Sequence, residues 1–238
     1  MNSSKNKKKT WEIEKEIKEI KSYPDDLYLE IIRDVGFECD LCGKCCTSEF
    51  NDHVFLLDED ARKIIENIGR EFVHPAPYYD FCDNLGRFYV MGYALRTNSS
   101  GNCIFYANAR CEHYDMRPLV CKIYPYMLHM EADEDGNIEW RQIAGLNEHG
   151  LYHSEIDENI LNQLLMDVKN YESLFLDQKL AFDRTIKEHF RKNDLKHSQQ
   201  MYDKKMREIM KGKDVEIYVS FKGELKKEII SKHVINPG

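Results

Sequence analysis

The sequence lacks long hydrophobic runs. Its apolar stretches fall far short of the roughly 20 consecutive residues that a membrane helix needs. No apolar segment of the kind found in secretion signals follows the first Met. We therefore expect a cytoplasmic protein without a membrane partner. The sequence also lacks a phosphate-binding loop and the Ser, His and Asp arrangement of triad hydrolases.

A net positive charge is missing as well. The chain has 34 Lys and Arg residues against 42 Asp and Glu residues, so its formal net charge is −8. Broad nucleic-acid binding needs a basic face that neutralises phosphates, and this charge argues against a nucleic-acid partner. The lysine-rich run at residues 5–9 belongs to a segment, residues 1–9, that we expect to be a disordered tail.

Cysteine is absent after Cys121. The eight cysteines of the chain are Cys39, Cys42, Cys45, Cys46, Cys82, Cys103, Cys111 and Cys121. Cysteines scattered through a protein core would not segregate in this way. In a reducing compartment, clustered cysteines bind a metal more often than they form disulfides. The distribution therefore favours a metal centre in the cysteine-bearing part of the chain.

The densest cysteine run is FECDLCGKCC, residues 37–46. Gaps of two residues let successive sulfurs converge on one point, and Gly43 can adopt the positive φ that such a turn requires. Thiolates are soft ligands that favour zinc, copper(I) and iron–sulfur clusters. A Cys-x2-Cys-x2-Cys run is typical of ferredoxins, whereas structural zinc sites commonly use two separated pairs. Spacing alone leaves iron–sulfur, zinc and a metal-free arrangement open.

The vicinal pair Cys45 and Cys46 departs from ferredoxin spacing. Adjacent residues rarely direct both side chains at one ion, so we expect these thiols to serve different metals, or one of them not to be a ligand. Cys82 is isolated from the other cysteines, and we interpret it as a buried core residue. His53 and His113 lie near cysteines and are weaker candidates for metal ligands.

Apolar periodicity predicts an α+β fold. Helical spacing predicts helices from Thr10, through residues 27–32, over 57–69, from Ser154 to about residue 192, and over 197–212. The expected N-caps are Thr10, Asp58 and Ser154. We expect a cysteine-cluster, metal-binding domain of helices and small antiparallel hairpins over residues 10–150. A mainly helical C-terminal region with a terminal hairpin over residues 151–238 follows it.

Two hairpins are predicted within the cysteine-bearing part. Residues 86–97 form one predicted strand, which returns through residues 102–106 after the turn NSSG. Residues 125–145 form the second predicted hairpin, with Asp135 and Gly136 at its turn. We expect the four strands to lie in one small antiparallel sheet.

The cysteines and their neighbours together resemble the YkgJ-like CxxCxxCC family, whose members are described as zinc- or iron-chelating proteins. The family pattern is F-x-C-x2-C-G-x-C-C, later G-x-C, and then C-x2-Y-x2-R-P-x2-C-[RK]-x-[FY]-P. The chain has every position of this pattern: Phe37, Cys39, Cys42, Gly43, Cys45, Cys46, Gly101, Cys103, Cys111, Tyr114, Arg117, Pro118, Cys121, Lys122, Tyr124 and Pro125.

The resemblance implies a metal centre. Its expected ligands are Cys39, Cys42, Cys45, Cys46, Cys103, Cys111 and Cys121. The flagellin lysine N-methylase has a similar cysteine region that holds an iron–sulfur cluster, so we expect such a cluster, of the 4Fe–4S type, with zinc in a structural scaffold as the alternative. Protein lysine methylation with S-adenosylmethionine is a further alternative, although the chain has no Rossmann-type glycine turn.

Arg117 and Tyr114 are expected beside this centre as cofactor-binding residues. Arg117 would offset the negative charge of a thiolate cluster or pair with Asp115 to brace a turn. Tyr114 would donate a hydrogen bond to a sulfur and so tune its potential, or pack in the core. Pro118 suits the first turn of a short helix that presents Cys121. We also expect a protein partner, which the C-terminal helices would bind.

Overall fold

The structure of the protein is a computed structural model, which describes residues 3–50, 53–126, 128–132, 138–142 and 149–230. It has an α+β fold of helices and small sheets, with a long helix in the C-terminal part, as the sequence predicts. None of the helices in these ranges combines the length and the apolar character needed to cross a membrane.

Two N-terminal helices pack against the long helix α5 (Glu158–Lys192). α1 (Ser3–Ser22) ends before Pro24, and α2 (Asp25–Val35) begins directly after it. Proline separates the two helices because it lacks the N–H group that a helix interior needs. The predicted apolar stripe of α1 is buried in this interface: Ile13, Ile17 and Ile20.

α1 extends further toward the N-terminus than the sequence predicts. It begins at Ser3 rather than at Thr10, and so includes most of the segment expected to be a disordered tail. Lysine is a good helix former, and residues 3–9 contain neither glycine nor proline, so nothing in the local sequence stops the helix.

α3 (Asp58–Asn67) confirms the helix predicted over residues 57–69, but not its cap. Leu57 is the N-cap, and Asp58 is the first helical residue. A carboxylate oxygen of Asp58 accepts a 2.8 Å hydrogen bond from the Lys222 N–H. The prediction of Asp58 as cap is wrong, because this side chain ties the start of α3 to a distant loop.

The described residues contain eleven short strands in four sheets. The strands are β1 (Phe55–Leu56), β2 (Val73–Pro75), β3 (Phe81–Cys82), β4 (Phe88–Met91), β5 (Tyr93–Leu95), β6 (Tyr106–Ala107), β7 (Arg110–Cys111), β8 (Leu128–Ala132), β9 (Ile138–Gln142), β10 (Val215–Phe221) and β11 (Glu224–Ile230). Their orders are β1-β5-β2, β11-β10-β4-β3, β6-β7 and β8-β9.

The strand predicted over residues 86–97 is broken at Gly92, which has a φ of 71°. β4 before the glycine joins the four-stranded sheet, and β5 after it joins the three-stranded sheet. The predicted pairing with residues 102–106 is reduced to one bridge, between Thr97 and Cys103. The prediction of a single antiparallel sheet is wrong, because the chain changes sheets at this glycine.

The hairpin predicted over residues 125–145 is confirmed. β8 and β9 are antiparallel, with Met130 opposite Trp140, and form a separate two-stranded sheet. The predicted turn at Asp135 and Gly136 lies outside the described residues.

The C-terminal region begins with α5, a single helix of 35 residues. Its N-cap is Asp157, whose carboxylate accepts a 2.9 Å hydrogen bond from the Asn159 N–H. The prediction of Ser154 as cap is wrong, because Ser154 lies in the preceding loop, where its N–H donates to the Gly36 carbonyl. α6 (Gln199–Met210) and the hairpin of β10 and β11 confirm the remaining elements.

The pairing of β10 with β4 joins the two regions that the sequence separates near residue 150. β10 pairs in parallel with β4, with Ile217 opposite Phe88 and Val219 opposite Val90. All four side chains are fully buried. The core of this sheet is therefore built from both sides of the predicted boundary.

A second core lies between α1, α2 and α5. Ile32, Leu161 and Val168 are fully buried in it. Ile123 and Tyr126, which follow the last cysteine, belong to the same core. The segment that carries Cys121 is thereby held between the cysteine-bearing part and α5.

Candidate metal centre

Most of the predicted thiol ligands line one cavity of about 490 Å³. The thiols at this cavity are Cys39, Cys45, Cys46, Cys103, Cys111 and Cys121. α5 contributes a second part of the lining: Tyr171, Phe175, Lys179, Phe182 and Asp183. Thiols from separate segments of the chain thus converge in space, as their spacing predicts.

The N-terminal thiols lie on a tight turn. Leu41 and Gly43 have positive φ angles of 61° and 70°, which reverse the chain within the cysteine run. A 3₁₀ helix, Lys44–Cys46, follows, and the Cys46 N–H donates to the Gly43 carbonyl over 2.9 Å. A side chain at position 43 would clash with the Tyr106 ring, so the turn requires glycine.

Three of the thiols are in hydrogen-bond contact. Cys46 hydrogen-bonds with both Cys111 and Cys45, and these bonds, together with burial, raise its pKa. The bond from Cys46 lowers the pKa of Cys111 to about 6 and also lowers the pKa of Cys45. Cys111 is therefore mostly a thiolate at neutral pH, whereas Cys46 stays protonated and its single S–H lies between its two neighbours.

The expectation that Cys45 and Cys46 serve different metals, or that one of them is not a ligand, stays a prediction, and the structure brings both thiols to the same cavity. The physical reason is the tight turn at Gly43, which carries both residues on one short 3₁₀ helix against the Cys111 strand. Adjacent thiols on such a helix contact each other and share one wall.

Cys103 and Cys121 complete the thiol wall. The Cys103 N–H donates to the Cys46 carbonyl over 2.8 Å, which holds the two segments together. The short helix predicted from Pro118 is confirmed as α4 (Leu119–Lys122), which has Pro118 at its N-cap and carries Cys121. Burial raises the pKa of Cys103 to about 11 and also raises the pKa of Cys121, so both are neutral thiols at pH 7.

The thiols are gathered without forming a closed site. Within the described ranges, no three or more Cys, His, Asp or Glu side chains stand in the arrangement of a metal-ion site. The donors that contact one another are nevertheless all thiols, which is the chemistry of a soft metal. This donor set fits an iron–sulfur or zinc centre, whose ligation energy would draw the sulfurs together.

Cys42 lies apart from this cavity. Its N–H donates to a carboxylate oxygen of Asp40 over 3.1 Å, and its thiol hydrogen-bonds with the same carboxylate. Burial and Asp40 raise the pKa of Cys42. The structure therefore places Cys42 outside the group of thiols that its spacing predicts.

Arg117 and Tyr114 lie beside the thiols in the lining of the cavity, and their role in cofactor binding stays a prediction. Nε of Arg117 donates a 2.9 Å hydrogen bond to the Tyr114 carbonyl rather than pairing with Asp115. The charge of Arg117 helps to lower the pKa of Cys111. Burial raises the pKa of the Tyr114 phenol, and its hydroxyl hydrogen-bonds with the Cys39 thiol.

The remaining candidates differ in position. His113 packs on Phe105, with ring centroids 4.6 Å apart, and His53 lines the cavity at the Tyr78 ring. Cys82 is fully buried in the sheet core, as predicted.

Sequence reasoning placed no site residue after Pro125, yet α5 forms part of the cavity. His149 does not line the cavity; it is buried, and its Nε2 lies 3.1 Å from the hydroxyl of the lining residue Tyr124. The helical stripe of α5 does not separate the apolar lining residues, such as Phe175, from core residues, because both lie on one apolar face.

Comparison with known proteins agrees with this site. Residues 38–144 match the model of the CxxCxxCC family, described as a "Putative zinc- or iron-chelating domain". No curated protein and no solved structure matches the chain. The matched residues include all seven cysteines of the pattern and the hairpin of β8 and β9. Residues 38–144 of this chain are therefore similar to the CxxCxxCC family of zinc- or iron-chelating domains.

Proposed function

We propose that the protein binds an iron–sulfur cluster of the 4Fe–4S type through the thiols of the cavity wall. The observation that carries this proposal is the surplus of thiols beside open space: six cysteines line a cavity of about 490 Å³. A zinc ion bonds four ligands, with sulfur at about 2.3 Å, and needs no space beyond them. A four-iron cluster also takes four cysteines but is much larger than one ion.

Cys45, Cys46 and Cys111 would supply three ligands, because their sulfurs are already in contact. Cys103 or Cys121 would supply the fourth. Such a cluster supplies one-electron transfer when it is bound. The chain's own part is to hold the sulfurs, to keep the positive charge of Arg117 near them, and to exclude water with the aromatic residues of the cavity.

Metal analysis of protein purified without oxygen tests this proposal. We expect about four irons and four sulfides per chain and a visible absorption band. A colourless protein with one tightly bound zinc and no iron would contradict the cluster and support the zinc scaffold instead.

Two cysteine variants localise the centre. Cys111→Ser should lose most of the iron, because it removes a thiolate from the contacting group. Cys82→Ala is the matched control, since Cys82 is buried in the sheet core away from the thiol wall. Equal iron content in both variants would exclude Cys111 as a ligand.

Methyl transfer from S-adenosylmethionine stays a prediction of the resemblance alone. Calorimetric titration of the iron-loaded protein with S-adenosylmethionine tests it. Saturable binding would support an enzyme, and the absence of heat at high ligand concentration would count against one.

A further inference from the structure

The thiols share their cavity with a large apolar lining. The cavity volume of about 490 Å³ lies within the roughly 300–1,000 Å³ that is typical of sites for small organic ligands. The thiols form only one part of the lining. Most of the rest is apolar, and it includes the aromatic residues Phe55, Phe105, Tyr124, Tyr171, Phe175 and Phe182. Organic ligand sites share this combination of apolar walls and few polar groups.

Two rings shape the apolar part of the cavity. Phe55 of β1 and Phe175 of α5 meet edge to face, with centroids 5.5 Å apart and an interplanar angle of 84°. Tyr171 lies one helical turn before Phe175, with its ring nearly parallel at 6.3 Å. These rings offer flat surfaces to an apolar body beside the thiol wall.

Two cations, Lys179 and Arg117, line the cavity, and no carboxylate of the described residues pairs with either of them. Lys179 is half-buried. Asp80 and Asp183 line the same cavity, but each already has an interaction partner. Arg117 is engaged by Tyr114. A partly desolvated cation in an apolar cavity is stabilised by an anion, so the cavity favours an anionic group near Lys179.

We propose that this cavity binds an organic anion with a flat, apolar body. Its anionic group contacts Lys179, and its body packs on Phe55 and Phe175. The ligand therefore lies beside the thiols, and in this one respect the inference rests on the proposed metal centre.

Two fluorescent probes of the same shape test the proposal on the full-length, metal-loaded protein. 1-Anilinonaphthalene-8-sulfonate carries a negative charge, and N-phenyl-1-naphthylamine is its neutral counterpart. We expect both to bind at one site per chain. Lys179→Gln should lower the affinity for the anionic probe about tenfold, as expected for loss of a charge-assisted hydrogen bond. The affinity for the neutral probe should change less than about twofold.

Two further variants complete the test. Phe175→Ala should lower the affinity for both probes, because it removes part of the apolar surface on which they pack. Lys192→Gln is the matched charge control, since Lys192 is on the same helix, pairs with Glu188 and lies outside the cavity. It should leave both affinities unchanged.

Equal effects of Lys179→Gln and Lys192→Gln on the anionic probe would overturn the proposal, and so would binding without saturation. Metal content, measured on every sample, separates this inference from the proposed function. Metal-loaded protein whose probe affinity does not depend on Lys179 contradicts the inference alone. Lys179-dependent binding to protein that holds no metal contradicts the proposed metal centre alone.

Discussion

The guanidinium carbon of Arg117 lies 3.4 Å from the centroid of the Tyr114 ring. This cation–π contact, with the hydrogen bond to the Tyr114 carbonyl, holds the charge of Arg117 beside the thiols. Tyr114 in turn hydrogen-bonds with Cys39. The pair therefore couples a fixed positive charge to the orientation of one thiol, and both can influence a bound metal.

Replacing Arg117 should alter the electrostatics of the centre. In Arg117→Gln we expect the pKa of Cys111 to rise, because Arg117 helps to lower it. If the centre is an iron–sulfur cluster, its reduction potential should fall by on the order of 50 mV, since the lost cation favoured the more negative, reduced state. Potentiometric titration measures this shift.

Arg110→Gln is the control for this experiment. Arg110 is exposed and precedes Cys111 directly in the chain. A surface charge is screened by solvent and salt, so its removal should shift the potential much less. Equal shifts in both variants would show that net charge matters and that the position of Arg117 does not.

Gly43 should be essential for the thiol wall. Gly43→Ala forces a Cβ into the Tyr106 ring and must displace the turn that carries Cys45 and Cys46. We expect the variant to lose most of its metal, measured as metal per folded chain. Gly223→Ala is the matched control, because Gly223 has a similar φ of 78° but no atom within 4 Å of a new Cβ. It should keep its metal.

Metal binding should release protons. Ligation needs thiolates, and burial raises the pKa of Cys103 to about 11 and raises that of Cys121, so these thiols are protonated at pH 7. Cys46 is protonated as well, whereas Cys111, with a pKa of about 6, has mostly lost its proton.

Apparent metal affinity should therefore rise with pH between 6 and 8. Zinc titration in buffers of different ionisation enthalpy counts the protons released per metal. We expect at least one at pH 7. A pH-independent affinity would contradict this assignment of thiol protonation.

His74 should make folding stability depend on pH. It is buried in β2, where its Nδ1–H donates to the Pro75 carbonyl, and burial lowers its pKa to about 4. The unfolded chain binds a proton at His74 below about pH 6.5, and the folded chain does so only near pH 4. Stability is therefore lost as pH falls through this window, by up to about 3 kcal/mol.

Urea unfolding of His74→Gln at several pH values tests this prediction. The variant should show a flatter dependence of unfolding free energy between pH 4 and 6.5. His153→Gln, at an exposed histidine, should keep the slope of the parent protein. An unchanged slope in His74→Gln would assign the effect to other groups.

Local signals in the sequence predicted much of this fold. Pro24 and the isoleucine stripe of α1 predicted two helices, and Pro118 predicted the short helix of Cys121. Gly92 lies inside an aromatic run that is typical of one strand, and at this glycine the chain changes sheets. Asp58 and Ser154 have the side chains of N-caps, but tertiary hydrogen bonds determine their positions.

The sequence predicted that thiols would form the site, but it did not predict which residues of α5 would line it. Cysteine spacing predicted which thiols would converge, because ligand geometry constrains spacing. The spacing did not indicate that Cys42 lies apart with Asp40. The contribution of Lys179 and Phe175 depends on how α5 packs against the thiol wall, and no short-range pattern records that packing.

The parallel pairing of β10 with β4 has a consequence for biosynthesis. β10 is an interior strand of its sheet, yet residues 215–221 leave the ribosome long after the last cysteine. Until then, β4, which contains Phe88 and Val90, lacks the strand that pairs with it in the sheet. The thiols are therefore synthesised well before their supporting sheet can form, and metal insertion is expected to follow translation of the C-terminal hairpin.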